Sequence, residues 1–249
     1  DMSEFYWVPI GKEDYSFKGH YDGSGYTISG LNTRFGANSE YESQGLFGYI
    51  EGTSSNRAGI INVGIINSEI LGFQQLGGIA GSIKYCDISN CYNDGDIKGN
   101  CNNSIAYAGY AIGSIVGKME YSTISNCYNT GNVYGTGYVG GIAGEVDFYG
   151  ANSEISYCYN TGVVVGRSNA NGFFGGIVGH QRKVSTIIEN CYNVGNVDGI
   201  SDSGYVGGIL GSGSSVTKCY YGGSCTLSYG IGGSNGSGSN TGTTRISRL

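Results

Sequence analysis

The chain has 249 residues, a net charge of −6 and only 13% charged residues. A globular domain usually carries about 25% charged residues. Here 48 glycines and 22 tyrosines take up much of the difference, a composition that favours strands and turns over surface helices. The lysines and arginines are scattered, which argues against nucleic-acid binding, and the chain lacks the apolar run of about 20 residues that membrane insertion requires.

Residues 1–50 open the chain with a dense group of aromatic residues. Within it, residues 20–28 are typical of two short strands around a glycine turn. We expect this region to form an N-terminal cap and the first rungs of a stack, a rung being the set of strands that one repeat contributes. Asp1 starts abruptly, so we also expect the chain to be covalently part of a larger one.

Residues 51–225 alternate between two short motifs. The first motif is Gly-Gly-Ile-Ala-Gly or a close variant, and it occupies residues 77–81, 113–117, 140–144, 175–179 and 207–211. The second motif centres on Cys-Tyr-Asn, and its cysteines are Cys91, Cys127, Cys158, Cys191 and Cys219. The steps between these cysteines are 36, 31, 33 and 28 residues, so the variation in length must lie in loops such as 100–107, 147–152 and 167–171.

The motifs predict an all-β fold of stacked parallel strands. They are short, rich in Ile, Val and Tyr, and bounded by Gly or Asn, which is typical of strands with tight turns. One such module cannot bury its apolar residues alone, so successive copies must stack with equivalent side chains in ladders. We therefore predict a parallel β-helix (β-solenoid) of about five to seven rungs. A flexible Gly/Ser-rich tail or linker is expected over residues 226–249.

The cysteines indicate a buried ladder more than a disulfide framework. Equivalent residues of stacked copies point in parallel, and free cysteine behaves as a small apolar residue. Two pairings remain open, Cys86 with Cys101 and Cys219 with Cys225. Because the sequence contains no Cys-x-x-Cys or Cys/His cluster, we predict no metal site and no cofactor.

The residue after each ladder cysteine is a tyrosine, and these residues form the candidate binding column: Tyr92, Tyr128, Tyr159, Tyr192 and Tyr220. Strand side chains alternate, so inward cysteines place the tyrosines outside. The equal parity of Cys127 and Val133 favours this assignment, because Val133 should be buried. Exposed rings could bind sugars or a protein partner. The alternative is a stack that only stabilises the sheet, by about 0.2–1 kcal/mol per pair.

The sequence leads us to assign no catalytic residues. Glycoside hydrolysis needs a pair of carboxyl groups about 5–9.5 Å apart, and few acidic residues recur at equivalent positions. One hypothesis stays open: Lys118, Glu145 and His180 follow equivalent glycines and could form a column on one face, although a solvated corner is the alternative. We expect residues 94–96, Asp-Gly-Asp, to be a turn and not a calcium site.

These motifs resemble those of the GLUG repeat family. The resemblance rests on Gly-Gly-Ile-Val-Gly at 175–179 and Asn-Cys-Tyr-Asn-Val-Gly-Asn-Val at 190–197. The opening Trp-Val-Pro-Ile-Gly at 7–11 is similar to the segment that often precedes such repeats. The resemblance implies a right-handed β-helix in a bacterial protein that is secreted or held on the cell surface.

The resemblance also implies a non-catalytic role in adhesion, in glycan or host-protein binding, or in display of other domains. It offers no catalytic residues that could be carried over to this chain. Two alternatives are a polysaccharide-degrading β-helix enzyme, a lyase or glycosidase, and an accessory domain of a secreted protease. The latter follows from similar repeats beside the catalytic part of some immunoglobulin A1 proteases.

Overall fold

The computed structural model describes residues 1–34, 42–99, 110–147, 152–168, 172–201, 205–214, 216–225, 229–232 and 239–246. Within these ranges the regular structure consists of strands without a helix, and the strands pair in parallel in four sheets. The prediction of an all-β chain of parallel strands is confirmed.

Sheets 1, 3 and 4 have six strands each in the described part of the chain. Sheet 1 consists of His20–Asp22, Ala58–Ile61, Cys86–Ser89, Thr123–Ser125, Glu154–Ser156 and Ile187–Glu189. Sheet 3 consists of Ser43–Gln44, Gln75–Leu76, Ala111–Gly113, Tyr138–Gly140, Phe173–Gly175 and Tyr205–Gly207. Sheet 4 consists of Phe47–Glu51, Ala80–Lys84, Val116–Glu120, Ala143–Val146, Val178–Gln181 and Leu210–Ser212.

Sheet 2 is the largest, because the long strands Gly64–Gly72 and Tyr92–Gly99 each belong to two rows. The first row also contains Thr27–Ser29, Tyr128–Asn129, Tyr159–Asn160, Tyr192–Asn193, Cys219–Tyr221 and Thr243–Arg245. The second row also contains Asn32–Arg34, Val133–Gly135, Val164–Ser168 and Val197–Ser201. The Cys-Tyr-Asn motifs therefore lie along the first row.

The chain visits the sheets in the same order in each repeat. It passes from sheet 1 through sheet 2 to sheets 3 and 4, and it returns to sheet 1 one strand further along. Equivalent residues are consequently in register, so that Gly140 pairs with Gly113 on one side and Gly175 on the other. A motif that recurs in the sequence thus becomes a row of identical side chains.

The core lies between the sheets and is built from such rows. The isoleucines of the glycine-rich motif form one row without solvent exposure: Ile79, Ile115, Ile142, Ile177 and Ile209. The isoleucines three residues before the ladder cysteines form a second buried row: Ile88, Ile124, Ile155 and Ile188. Full burial of one such side chain contributes roughly 1.5–3 kcal/mol, so these rows supply a large share of the stability.

At the corners between strands the backbone either adopts a left-handed conformation or carries glycine, which has no side chain. The residue before each ladder cysteine has a positive φ, and so does the equivalent residue of the preceding repeat. These six residues have φ of 50–57°: Asn62, Asn90, Asn126, Tyr157, Asn190 and Lys218. Asparagine is the residue other than glycine that visits this left-handed region most readily. At Gly144 an added Cβ would collide with the backbone nitrogen of Ile112 in sheet 3, so the close approach of sheets 3 and 4 requires glycine there.

Strands form near both ends of the chain, where the sequence predicts two strands at the first end and a flexible tail at the other. The strands expected within residues 20–28 are present as His20–Asp22 and Thr27–Ser29. In the tail predicted to be flexible, Thr243–Arg245 instead pairs with Cys219–Tyr221, because an open sheet edge offers unpaired backbone groups to a following β-prone segment. Most residues of the predicted loops 100–107, 147–152 and 167–171 lie outside the described ranges, and so does Cys101.

Candidate functional site

The tyrosine column is a continuous stack along the outer face of sheet 2. Tyr92, Tyr128, Tyr159 and Tyr192 are in register from strand to strand. Their ring centroids are 4.8, 4.9 and 4.9 Å apart, and neighbouring rings are inclined by only 2, 1 and 5°. Tyr220 continues the register and is 44% exposed.

The stacked arrangement decides which part of each ring a ligand can reach. The faces of neighbouring rings cover one another, so the column presents ring edges and hydroxyl groups to solvent. Burial between its neighbours raises the pKa of Tyr128, with a smaller contribution from Tyr92 and Tyr159. The Tyr128 hydroxyl therefore stays protonated at neutral pH. A tyrosine hydroxyl can both donate and accept a hydrogen bond.

The cysteines beside the column point into the core, as the alternation predicts. All five ladder cysteines have no solvent exposure. Each thiol donates to the carbonyl oxygen two residues earlier; in Cys158 this contact to Ser156 is 3.2 Å. Burial raises the pKa of the Cys158 thiol and raises that of Cys86 to about 12, so both stay protonated.

The seven cysteines in the described ranges form no disulfide bond. The pairing considered for Cys219 and Cys225 is therefore wrong. Cys219 lies in the first row of sheet 2, whereas Cys225 bridges to Val197 in the second row, so the two residues belong to different rows. Cys86 is also free and fully buried.

A ladder of buried asparagines, which was not predicted from the sequence, lies on the inner side of the same strands. Asn93, Asn129, Asn160 and Asn193 are at most 1% exposed. The side-chain amide of each of the first three donates to the Oδ1 of the next, over 3.1, 2.7 and 2.8 Å. Every one of the four also donates to the glycine carbonyl two residues later. The sequence does contain a signal for this ladder. Each asparagine lies two residues after an inward-pointing cysteine, so its side chain should point inward as well.

Lys118, Glu145 and His180 do form a column, on sheet 4. Lys118 is in register with Glu145, and Glu145 with His180. The alternative of a solvated corner is wrong for Glu145, which is 3% exposed and forms an ion pair with Arg182. The Arg182 guanidinium also lies 5.4 Å from the centre of the Tyr138 ring and donates to its hydroxyl over 3.2 Å.

His180 sits among aromatic rings from sheet 3. Its ring centroid is 4.5 Å from that of Phe173 and 4.9 Å from that of Tyr138. Burial, together with the nearby Arg182, lowers the pKa of His180 to about 4, so the imidazole is neutral at physiological pH. The group can serve as a neutral hydrogen-bonding side chain in this surface.

Residues 94–96 are not the turn that the sequence predicts. They lie within the strand Tyr92–Gly99, where the register against the preceding strand shifts between Asp94 and Asp96, as at a β-bulge. Both carboxylates accept hydrogen bonds from the next repeat, Asp94 from the Thr130 hydroxyl at 2.6 Å and Asp96 from the Asn132 amide at 3.2 Å. The described residues contain no group of three or more His, Cys, Asp or Glu side chains that could hold a metal ion.

A polar cleft of about 320 Å³ lies at the N-terminal end of sheet 4. Its lining combines side chains of sheet 4 with Ser43 and Gln75 of sheet 3, and with the tip of a short hairpin at 12–15, in which Lys12 and Tyr15 pair antiparallel. The residues that line it include Lys12, Glu13, Asp14, Glu42, Tyr49, Gln75, Ser82, Lys84, Lys118 and Glu120. Lys118 thus belongs both to this cleft and to the column with Glu145 and His180.

Comparison with known proteins supports the resemblance stated for the sequence. The family model of the GLUG motif matches residues 108–134, which contain one glycine-rich motif and one Cys-Tyr-Asn motif. Searches of curated proteins and of solved structures give no significant match. In the part of the chain that the structure describes, no helix has the length and apolar character needed to cross a membrane.

Proposed function

We propose that this chain, which carries the GLUG motif, is a non-catalytic adhesion module that binds an extended neutral glycan along its tyrosine column. In this proposal it is part of a larger bacterial protein, either secreted or held at the cell surface. The observation that carries the proposal is the unbroken stack of four partly exposed tyrosines on a regular sheet.

The proposed scaffold is a right-handed parallel β-helix of five to seven rungs. Support comes from the constant order in which the chain visits the four sheets, with each visit adding one strand beside the last. Parallel strands joined by a crossover are right-handed in about 98% of cases. Such a scaffold holds successive tyrosines at fixed spacing, which preorganises the column and lowers the entropic cost of binding.

The spacing and chemistry of the column favour a linear polysaccharide. Successive rings are 4.8–4.9 Å apart, which is comparable to the length of one sugar residue in an extended chain. The exposed edge offers hydroxyls that pair with sugar hydroxyls, and the ring edges give apolar contact. A long ligand would gain from several weak contacts in series, because each added contact is intramolecular once the first has formed.

We assign no catalytic role because the buried glutamates form ion pairs. Glu145 is ion-paired with Arg182, and Glu120 lies 3.0 Å from the Lys118 ammonium group. Paired carboxylates of this kind are poor candidates for an acid and a base that must exchange protons with a substrate. Release of new reducing ends from complex polysaccharides incubated with the chain would overturn the non-catalytic assignment.

The test uses a double variant, Tyr128→Phe with Tyr159→Phe, which removes two hydroxyls and keeps the stack. Binding to immobilised cellulose, xylan, mannan and mucin is measured by biolayer interferometry. We expect the double variant to lose about tenfold or more in affinity, since each lost hydrogen bond costs about 0.5–1.5 kcal/mol.

The matched control is the pair Tyr85→Phe with Tyr121→Phe. These tyrosines also stack, at 4.7 Å and 19°, but they lie at another corner of the chain. The control should bind like the parent chain. Equal affinity of both double variants would mean that the column only supports the sheet. Binding to mucin that survives removal of its glycans would instead point to a host protein as the partner.

A further inference from the structure

The polar cleft on sheet 4 is separate from the tyrosine column, which lies on sheet 2. Its volume of about 320 Å³ falls at the lower end of the range of small-molecule sites, about 300–1,000 Å³. It is therefore large enough for one or two sugar residues. Its lining is polar, apart from the ring of Tyr49 and the side chain of Ile83.

Glu120 is a buried carboxylate in the cleft that is ion-paired with Lys118 but lacks a well-oriented hydrogen-bond donor at Oε1. The residue is only 8% exposed, and it lines the cleft from the strand Val116–Glu120. Its Oε1 lies 3.0 Å from the Lys118 ammonium nitrogen, yet that oxygen has no partner of good hydrogen-bond geometry among the described residues. A buried acceptor without a well-oriented donor is costly, and a ligand hydroxyl or ammonium group would relieve that cost.

Tyr49 and Lys84 supply the groups beside Glu120. Burial, and secondarily the charge of Glu51, raises the pKa of Tyr49 to about 12, so its hydroxyl remains a donor at any physiological pH. The Lys84 ammonium group is held by Glu51 at 2.9 Å. Ser82 lies between Tyr49 and Lys118 in the register of sheet 4 and is 4% exposed.

The charge of the lining indicates which sugars fit. The lining carries three ammonium groups, of Lys12, Lys84 and Lys118, and four carboxylates, of Glu13, Asp14, Glu42 and Glu120. Glu51 lies outside the lining and is paired with Lys84. The surroundings are thus slightly negative, and a ligand carboxylate would be repelled. Hydroxyl groups and an amine find both donors and acceptors within the same small volume.

We propose that this cleft is a second carbohydrate site, which binds a neutral hexose or amino-sugar residue through Glu120 and rejects uronic acids. Tyr49 provides the aromatic wall and a donor, and Lys118 provides an ammonium group from the next strand but one of sheet 4. The site does not depend on the tyrosine column. One chain would accordingly hold a linear glycan on one face and a shorter sugar on another.

Isothermal titration calorimetry with three disaccharide probes tests the specificity: cellobiose, the disaccharide of chitosan, and digalacturonate. We expect the first two to bind and digalacturonate to bind at least about tenfold more weakly, because a like charge must enter a negative cleft. Equal or tighter binding of digalacturonate would overturn the proposal. Failure of all three to bind up to their solubility limits would overturn it as well.

Two single variants test the role of the cleft residues. Glu120→Gln keeps the shape but removes the charge, and we expect it to weaken cellobiose binding about tenfold, since hydrogen bonds to a charged acceptor are about twice as strong as neutral ones. Tyr49→Phe should weaken binding about threefold or more through loss of one donor. Wild-type affinity in Glu120→Gln, with an unchanged melting temperature, would sink the assignment.

The control variants separate this proposal from the tyrosine column. Glu189 lies on sheet 1, away from the cleft, so Glu189→Gln should leave disaccharide binding unchanged. The double variant Tyr128→Phe with Tyr159→Phe should also bind cellobiose like the parent chain, even if it has lost polysaccharide binding. A loss of disaccharide binding in that double variant would place the sugar on sheet 2 and refute the cleft.

Discussion

Sheets 2 and 4 use the same repeat in opposite ways. Along the first row of sheet 2 the same three residue types recur, with cysteine and asparagine buried and tyrosine outside. On sheet 4 one register position holds in turn Ser82, Lys118, Glu145 and His180. The difference teaches that a stacked repeat requires identity where side chains bond to their own copies and allows variety where they do not.

The two regions also differ in how their polar groups are satisfied. In the asparagine ladder the amides of Asn93, Asn129 and Asn160 each find a partner in the asparagine of the next repeat, so one geometry serves all three links. On sheet 4 the partners are unlike groups, such as Glu145 with Arg182 and Lys118 with Glu120. Substitution should therefore have different consequences in the two regions.

The largest effect is expected from Asn160→Ala, which interrupts the asparagine ladder. The variant removes the acceptor of the Asn129 amide at 2.7 Å and the donor to Asn193 at 2.8 Å, and it leaves the backbone of Gly162 without its side-chain partner. Several buried groups lose a bond at about 1–3 kcal/mol each, so we expect a loss of about 3–5 kcal/mol in the free energy of unfolding, measured by urea titration.

The matched control for the ladder is Thr161→Ala, one residue further on and exposed, which removes only a hydrogen bond of 3.3 Å from the Thr161 hydroxyl to the Asn129 carbonyl. It should change the free energy of unfolding by no more than about 1 kcal/mol. A cost below about 1 kcal/mol for Asn160→Ala would mean that water or a shift of neighbouring amides replaces the lost bonds.

On sheet 4 the corresponding experiment is a pH titration of stability. The pKa of His180 is lowered to about 4, against 6.5 for an unperturbed histidine, so the folded chain prefers the neutral imidazole. Its contribution to stability is present above pH 6.5 and is lost as the pH falls towards 4, by at most about 3 kcal/mol. Urea titrations at several pH values should show a shallower decline over this window in His180→Gln, and an unchanged decline would contradict the assignment.

A smaller effect is expected from the tyrosine column. Tyr128→Leu removes two stacked contacts, with Tyr92 and Tyr159, and should cost about 1–2 kcal/mol, whereas Tyr128→Phe keeps both and should cost less than about 0.5 kcal/mol. Tyr26, which is 77% exposed, provides the control Tyr26→Leu, for which no measurable change is expected. Equal costs for the leucine and phenylalanine variants of Tyr128 would show that the stack contributes nothing to stability.

Much of sheet 2 could be predicted from the sequence, because its motifs recur and strand side chains alternate. The parity of Cys127 and Val133 correctly placed the cysteines inside. The same parity applies to Asn129 and predicts its burial, although asparagine at the end of a short motif is also typical of a tight turn. A repeated polar residue with inward parity is therefore a signal of a ladder.

The arrangement on sheet 4 could not be predicted to the same extent. The glycine motif places Lys118, Glu145 and His180 at equivalent positions and so predicts their register. The contacts of Arg182 with Glu145 and Tyr138 depend on how sheets 3 and 4 meet, which no local pattern encodes. The cleft likewise needs the hairpin at 12–15 to pack beside Glu120, a contact between residues far apart in sequence.

The smallest predicted effect concerns a corner where the repeat departs from its own rule. Four of the six equivalent left-handed corners carry asparagine, but Tyr157 has φ of 54° and is 60% exposed. A residue with an ordinary Cβ costs roughly 1–2 kcal/mol in this conformation, and asparagine recovers part of that cost. We therefore expect Tyr157→Asn to raise the free energy of unfolding by about 0.5–1 kcal/mol in a urea titration.

The reciprocal variant, Asn126→Tyr, shows whether the corner or the local surroundings decide. Asn126 has φ of 52° and lies one repeat before Tyr157. If the backbone conformation sets the preference, tyrosine there should cost about what asparagine gains at 157. A gain at 157 without a loss at 126 would indicate instead that the exposed Tyr157 ring is unfavourable for its own reasons. A loss at both positions would mean that Tyr157 makes a stabilising contact on the surface beside the column, and the departure from asparagine would then be a feature of that surface.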